Sequence, residues 1–339
     1  MPRRPTQKDV AAKAGLSRPT VSLALNGSPA VSPETRAYVR EVAESMGYRP
    51  DPLLSALSKY RNHEEAQHYQ GTLAWISYSS KERPWHLITT YNLYYQGAFA
   101  RAQALGFNIE KIDLLQENLS AKRLDSILKA RGIRGIFICP PTKQGEVFDI
   151  PYEDYCLVTF GYTIRTPIMH RVSPSHIRAT RAIFNSLVER GYRRIGFAGS
   201  KEVNLKTLEH CQSAYLCGCR SHGLEFLPEL LTDEDFPTKF SAWKKQHKPD
   251  AVIITSPMWP VVQQLGLDIP GELGIASPMA PLRHPELSGV VEKSEQIGAA
   301  AVDTLIQLIQ HDERGIPADP KNILLEGQWN EGSTLRPVR

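Results

Sequence analysis

Apolar positions in the first fifty residues recur at helical spacing in three short bursts, each bounded by turn residues. Val10, Ala11 and Ala14 give one face of a helix over Gln7 to Ala14. Thr6 caps it, Asp9 stands three residues on, Gly15 ends it and Leu16 plugs the turn. Ser17 caps a second helix, Arg18 to Leu25, where Pro19 in the first turn loses no intrahelical hydrogen bond. Asn26-Gly27-Ser28-Pro29 is a turn cluster, and Ser32 with Pro33 behind it starts a third helix. The expected apolar stripe of that helix is Ala37, Tyr38, Val42, Ala43 and Met46, and Gly47 ends it. Two short helices around a glycine turn, closed by a third, predict a helix-turn-helix module. Asp51 to Ser58 then reads as a short helix with an Asp cap and Pro52 first, too short to be stable alone, and residues 63–70 form a polar connector.

From Thr72 the period changes to alternating strands and helices. Strands are expected at 73–78, 109–113, 135–139 and 156–160, with helices at 92–105 and 121–130. The alternation then repeats: helix 178–189, strand 194–198, helix 206–222 and strand 251–254. Such alternation predicts doubly wound parallel sheets in two halves.

Composition narrows the function. The chain has 339 residues, 41% hydrophobic and 22% charged, as a folded multi-domain protein has and a disordered tail has not. Apolar runs are too short for a membrane span, and Met1 to Pro5 lead into Gln7-Lys8-Asp9 with no apolar core of a signal peptide. The expected location is cytoplasmic, and five cysteines suit reduced thiols better than a disulfide framework. Residues 1–61 hold ten Lys/Arg against five Asp/Glu, whereas the remainder is nearly balanced, so the surplus of positive charge points to a polyanion partner for the N-terminal segment.

The run Lys8 to Ser17, Thr20-Val21-Ser22, Leu25-Asn26-Gly27, Val31 to Arg36 and Gly47-Tyr48-Arg49-Pro50 resembles the N-terminus of the LacI/GalR family of repressors, without a gap over some fifty residues. The resemblance implies a small all-α helix-turn-helix DNA-binding domain joined to an α/β two-lobed periplasmic-binding-protein-like domain. It places the DNA-binding domain at 1–49, a hinge helix at 50–62, the connector at 63–70 and the two-lobed effector-binding and dimerisation domain at 71–335. The first lobe is expected at about 71–163 and 289–320, the second at about 164–288 and 321–335. Gly191 to Phe197 match the start of the family's second lobe; Gly289 to Glu292 and Ile297 to Ala301 match its return to the first.

Position by position, the resemblance gives Thr6, Ser17, Thr20, Ser22, Asn26, Ser32, Thr35 and Tyr48 the holding of phosphates or of the module's own geometry, work suited to hydroxyls and amides at helix ends. Base reading falls to Arg18, Pro19 and Leu23. Arg18 has the fork for guanine O6 and N7, while Pro19 and Leu23 offer only apolar contact, for example to a thymine methyl. Leu57 takes the place of the leucine that wedges open the minor groove, with Leu54 where two hinge helices approach and Asp51 in place of a usual Asn. The implied partners are double-stranded operator DNA, a second copy of the chain and a small-molecule effector.

In the cleft the chain departs from the sugar-responsive pattern. Ser175 replaces an Asp, Cys211 a cleft arginine and Pro278 an acidic residue, so three groups able to grip vicinal hydroxyls are gone. The candidate effector contacts are Tyr78, Tyr91, Tyr94, His170, Ser175, His176, Cys211 and Trp259, with residues 256–266 shorter than the usual helix. Cys217, Cys219, His210 and His222 fit no standard zinc spacing, and phosphate-loop, nucleophile-elbow and zincin motifs are missing. No metal, cofactor or enzymatic activity is expected. A solute-binding protein would account for the two lobes but gives no reason for the basic N-terminus.

Overall fold

The computed structural model describes residues 5–25, 31–46, 48, 71–79, 81, 84–141 and 150–338. Asn26, Leu54, Leu57, the expected hinge helix and the connector lie outside the described residues. The chain divides into two compact units, 1–68 and 69–339.

In the first unit α1 spans Gln7–Ala14, α2 Arg18–Leu25 and α3 Pro33–Ser45. Thr6 and Asp9 form a reciprocal capping box, and Gly15 closes α1 in the left-handed region that glycine adopts without a steric penalty. Val10, Ala11, Ala14, Val21, Ala24, Val31, Val39, Val42 and Ala43 make one core, with Leu16, Leu25, Met46 and Tyr48 packed around it. The stripe of α3 differs from expectation: Val39 is buried, whereas Ala37 and Tyr38 are exposed. Val39, Val42, Ala43 and Met46 keep the spacing of one helix face; Ala37 and Tyr38 fall off it.

The second unit holds two six-stranded sheets. Its strands are β1 Gly71–Ser77, β2 Phe107–Asp113, β3 Gly135–Ile138, β4 Cys156–Phe160, β5 His170–Pro174, β6 Ile195–Gly199, β7 Leu230–Leu231, β8 Ala251–Ile254, β9 Gly274–Ser277, β10 Ser288–Val291, β11 Asn322–Leu325 and β12 Gln328–Asn330. The helices are α4 Thr89–Ala104, α5 Ala121–Ala130, α6 His176–Glu189, α7 Lys201–Lys206, α8 His210–Ser221, α9 Phe236–His247, α10 Trp259–Gln263 and α11 Ser294–His311. One sheet runs β11-β5-β4-β3-β1-β2, all parallel. The other runs β12-β10-β9-β8-β6-β7, parallel except at β12.

Both sheets are covered on both faces. Along β1, Leu73 and Trp75 join one cluster while Ala74 and Ile76 join the other; β8 divides its residues the same way. Unbroken apolar strands are what such double burial demands. Trp75 and Phe160, with ring centroids 5.2 Å apart, sit at the centre of the first lobe. There α4 and α11 approach closely because Gly97 and Gly298 carry no Cβ; a methyl at either would collide with the carbonyl oxygen of Glu295 or Tyr94.

The chain passes between lobes three times, and the passages differ from those expected. β5 pairs with β4 and β11, so the first lobe continues through residue 174; β10 pairs with β9 and β12, so the second lobe keeps residues 288–291; β11 brings 322–325 back to the first sheet. Strand pairing decides membership, and these short segments carry too little pattern to announce their partner. The helix expected at 206–222 starts only at His210, because Leu208 and Glu209 adopt left-handed φ values of 51° and 58° and separate α8 from α7, which ends at Lys206.

Candidate nucleic-acid interface and interlobe cleft

Val21 and Ala24 turn one face of α2 into the core, which leaves Arg18, Pro19 and Leu23 exposed on the other. Leu23 is 42% exposed, unusual for a leucine with a core within reach. Among the described residues, nothing engages Arg18. The hydroxyls flank this face. Ser17 Oγ accepts from Thr20 N at 3.2 Å and lies 2.7 Å from Thr20 Oγ1; Ser32 Oγ accepts from Thr35 N at 3.2 Å and lies 2.9 Å from Thr35 Oγ1. Each pair caps a helix start, and both pairs are solvent-exposed. Ser22 is half-buried, and Tyr48 packs on the core while its N–H donates to the Ala43 carbonyl at 2.9 Å. A positive, apolar-edged helix face between exposed helix N-termini has the chemistry to sit in a major groove with phosphates on either side.

Most of the expected effector contacts turn out to be tied into the two lobes. Tyr94 is buried, stacked on Phe160 at 5.1 Å, and donates its hydroxyl to Glu292, which also accepts from Ser294 Oγ at 2.8 Å. Burial raises the pKa values of both Tyr94 and Glu292. Tyr91 stacks against Tyr94 at 6.3 Å, half-buried. His170 Nδ1 accepts from Lys321 N at 3.1 Å and so fastens the start of β11. The Cys211 thiol is buried beside Thr180, and burial pushes it up to about 11. Trp259 Nε1 donates to Glu286 at 2.9 Å, and Gln263 and His284 hold the same carboxylate. Tyr78 stands half-buried just past the end of β1.

Ser175 and His176 stand where β5 hands over to α6, at a passage between the lobes. Ser175 N donates to the Leu325 carbonyl at 2.9 Å, but its hydroxyl does not cap α6. His176 is buried with Nδ1 unpartnered among the described residues, and burial, followed by the neighbouring His210, lowers its pKa to about 4.

Three residues that sequence reasoning passed over complete this seam. Tyr162 and Arg165 lie between β4 and β5 of the first lobe; the Tyr162 ring meets the His210 ring edge-on at 4.7 Å, and Arg165 donates to the Leu205 carbonyl at 3.1 Å. Arg171, on β5, lies over the Tyr162 ring at 5.1 Å. The one readable signal was a charged residue inside a strand, between His170 and Val172.

Comparison with known proteins fits this architecture. Residues 6–51 match the family described as bacterial regulatory proteins, lacI family, and residues 184–335 match the periplasmic binding protein-like domain. Catabolite control protein A of Staphylococcus xylosus is 24% identical, the alignment covering 94% of this chain and 95% of that protein. The HTH-type transcriptional repressor PurR of Edwardsiella ictaluri (strain 93-146) is also 24% identical, covering 93% and 94%. Among solved structures, a complex of the transcriptional regulator CelR with cellobiose superposes with a TM-score of 0.57 at 19% identity, covering 98% of this chain and all of that one. The lac repressor dimer bound to operator and an anti-inducer gives 0.56 at 18% identity, covering 98% and 99%.

Proposed function

Because the chain belongs to the lacI family of bacterial regulatory proteins, we propose that it is a sequence-specific transcriptional repressor that binds a pseudo-palindromic operator as a homodimer. The observation that carries this reading is the outward face of α2, where Arg18, Pro19 and Leu23 stand clear of a fully formed core. One eight-residue helix spans only a few base pairs, so two copies related by a twofold axis are needed to specify a site. Thr6, Ser17, Thr20, Ser22, Ser32 and Thr35 hold the module on the phosphates, and Tyr48 keeps its end packed. Asn26 adds a backbone contact, and Leu57 wedges the central minor-groove step, with Leu54 beside it.

The two-lobed domain supplies dimerisation and a cleft for a small effector, as the cellobiose complex of a structural neighbour illustrates for that protein. Ser175 and His176 sit at a passage between lobes, so a ligand held there would bias the lobes' relative arrangement and thereby DNA affinity. The protein works in the cytoplasm and catalyses no reaction. Among the described residues, no helix is long and apolar enough to cross a membrane.

Selection from a pool of random duplexes by the full-length protein tests this reading. Enrichment of a two-fold symmetric sequence is the expected result, and binding that enriches no sequence would overturn it.

A further inference from the structure

Arg171 is 95% withdrawn from solvent, yet no carboxylate answers its charge among the described residues. Among the described residues, its Nε has no hydrogen-bond partner, Nη1 reaches only the Gly161 carbonyl at 3.5 Å, and the guanidinium lies over the face of Tyr162. A buried guanidinium with neither counter-ion nor full hydrogen bonding is costly, and it is retained where something else supplies the anion. The same seam holds a second unanswered group. His176 is 94% withdrawn with Nδ1 unpartnered, and it opens α6, whose first N–H groups receive no side-chain cap. Contact runs from Arg171 to Tyr162, from Tyr162 to His210, and His210 acts on His176, so these groups belong to one cluster.

The charge of the cluster has one sign. Ser175 and the buried Cys211 thiol bring no charge here, and the cation among these groups is Arg171 on β5. A neutral polyol could accept hydrogen bonds from Arg171 but would leave its charge without a counter-ion. An oxyanion would pair with it and with the positive end of the 14-residue helix α6.

We propose that the interlobe cleft takes an acidic small molecule whose carboxylate or phosphate pairs with Arg171, with His176 Nδ1–H and the N-terminus of α6 as further donors. This rests on the reading of the cleft as an effector site and names the chemistry it selects.

Titration calorimetry of the full-length dimer without DNA, using glucuronate, inorganic phosphate and glucose as probes, tests it. Glucuronate and glucose differ by one carboxylate, which isolates the charge. Saturable binding of glucuronate or phosphate and none of glucose is expected; saturation by phosphate alone assigns the site to phosphoryl groups, by glucuronate alone to carboxylates. Arg171→Gln should weaken the binding by about tenfold or more, the loss of one charge-assisted hydrogen bond, with Arg171→Lys in between. Glucose binding as tightly as glucuronate, undiminished anion binding by a folded Arg171→Gln, or no anion binding at millimolar concentration would overturn the proposal. If Arg171→Gln does not fold, the wild-type contrast of glucuronate with glucose decides alone. DNA binding is measured separately, so failure of the regulator reading and failure of the anion site are told apart.

Discussion

The two units place their chemistry on opposite sides of their cores. The N-terminal unit buries nine small apolar side chains and turns its polar groups outward, along one helix face and three helix starts. The two-lobed unit turns its chemistry inward, to a seam made by β5, α6, α8 and the segment between β4 and β5. A surface built on one helix keeps its members within six residues, whereas the seam gathers Tyr162, Arg171, His176 and His210 from both lobes. An outward site is therefore free to change without loss of fold, and an inward one is coupled to folding.

This contrast is sharpest where it costs most. Phe160→Ala should destabilise the large unit by about 3–5 kcal/mol, since it empties a fully buried position against Trp75 and Tyr94. Urea denaturation followed by tryptophan fluorescence reads the loss; a change under about 1 kcal/mol would mean the ring cluster collapses without cost.

His176 gives the next largest effect, as a dependence on pH. The unfolded chain takes up a proton near pH 6.5, whereas the folded protein keeps this imidazole neutral down to about 4. Between those values the unfolded state binds more protons, so the stability the neutral ring contributes, about 3 kcal/mol in order of magnitude, is present above pH 6.5 and lost as pH falls to 4. Denaturation midpoints of wild type and His176→Gln across that window measure it, and the variant should show the flatter profile. Parallel profiles would mean that the ring is solvated and the seam open.

At the outward unit the effects shrink. Thr6→Ala removes the hydroxyl that accepts from Asp9 N and donates to the Asp9 carboxylate, leaving only the Thr6 N–H bond to that carboxylate, and should cost about 1 kcal/mol of the small unit's stability, read by thermal melting. It should also weaken binding to all DNA sequences alike.

The same contrast explains what the sequence disclosed. α1, α2 and α5 lie where their caps and periods put them, because Thr6, Ser17 and Ser120 bond within their own first turns. The outward face of α2 was legible for the same reason: helical period fixes which side Val21 and Ala24 bury, and therefore which side Arg18 and Leu23 leave open. The cleft was not. Tyr94, His170, Cys211 and Trp259 carry suitable chemistry, but their orientation depends on Glu292, Lys321, Thr180 and Glu286, partners 27 to 198 residues away. Arg171 stood unnoticed in a strand whose place at β4 and β11 no local pattern reveals. The passages between lobes were misplaced for that reason too.

The central claim is that α2 reads base identity through Arg18. Equilibrium binding of wild type and Arg18→Ala to a panel of single-base variants of the selected operator tests it most directly. The account predicts a loss of about 1–3 kcal/mol on the parent operator and, in the variant, a preference abolished at one base pair per half-site with the others intact. Equal weakening on every sequence would make Arg18 a phosphate contact, and an unchanged profile would remove it from the interface; either would contradict the claim.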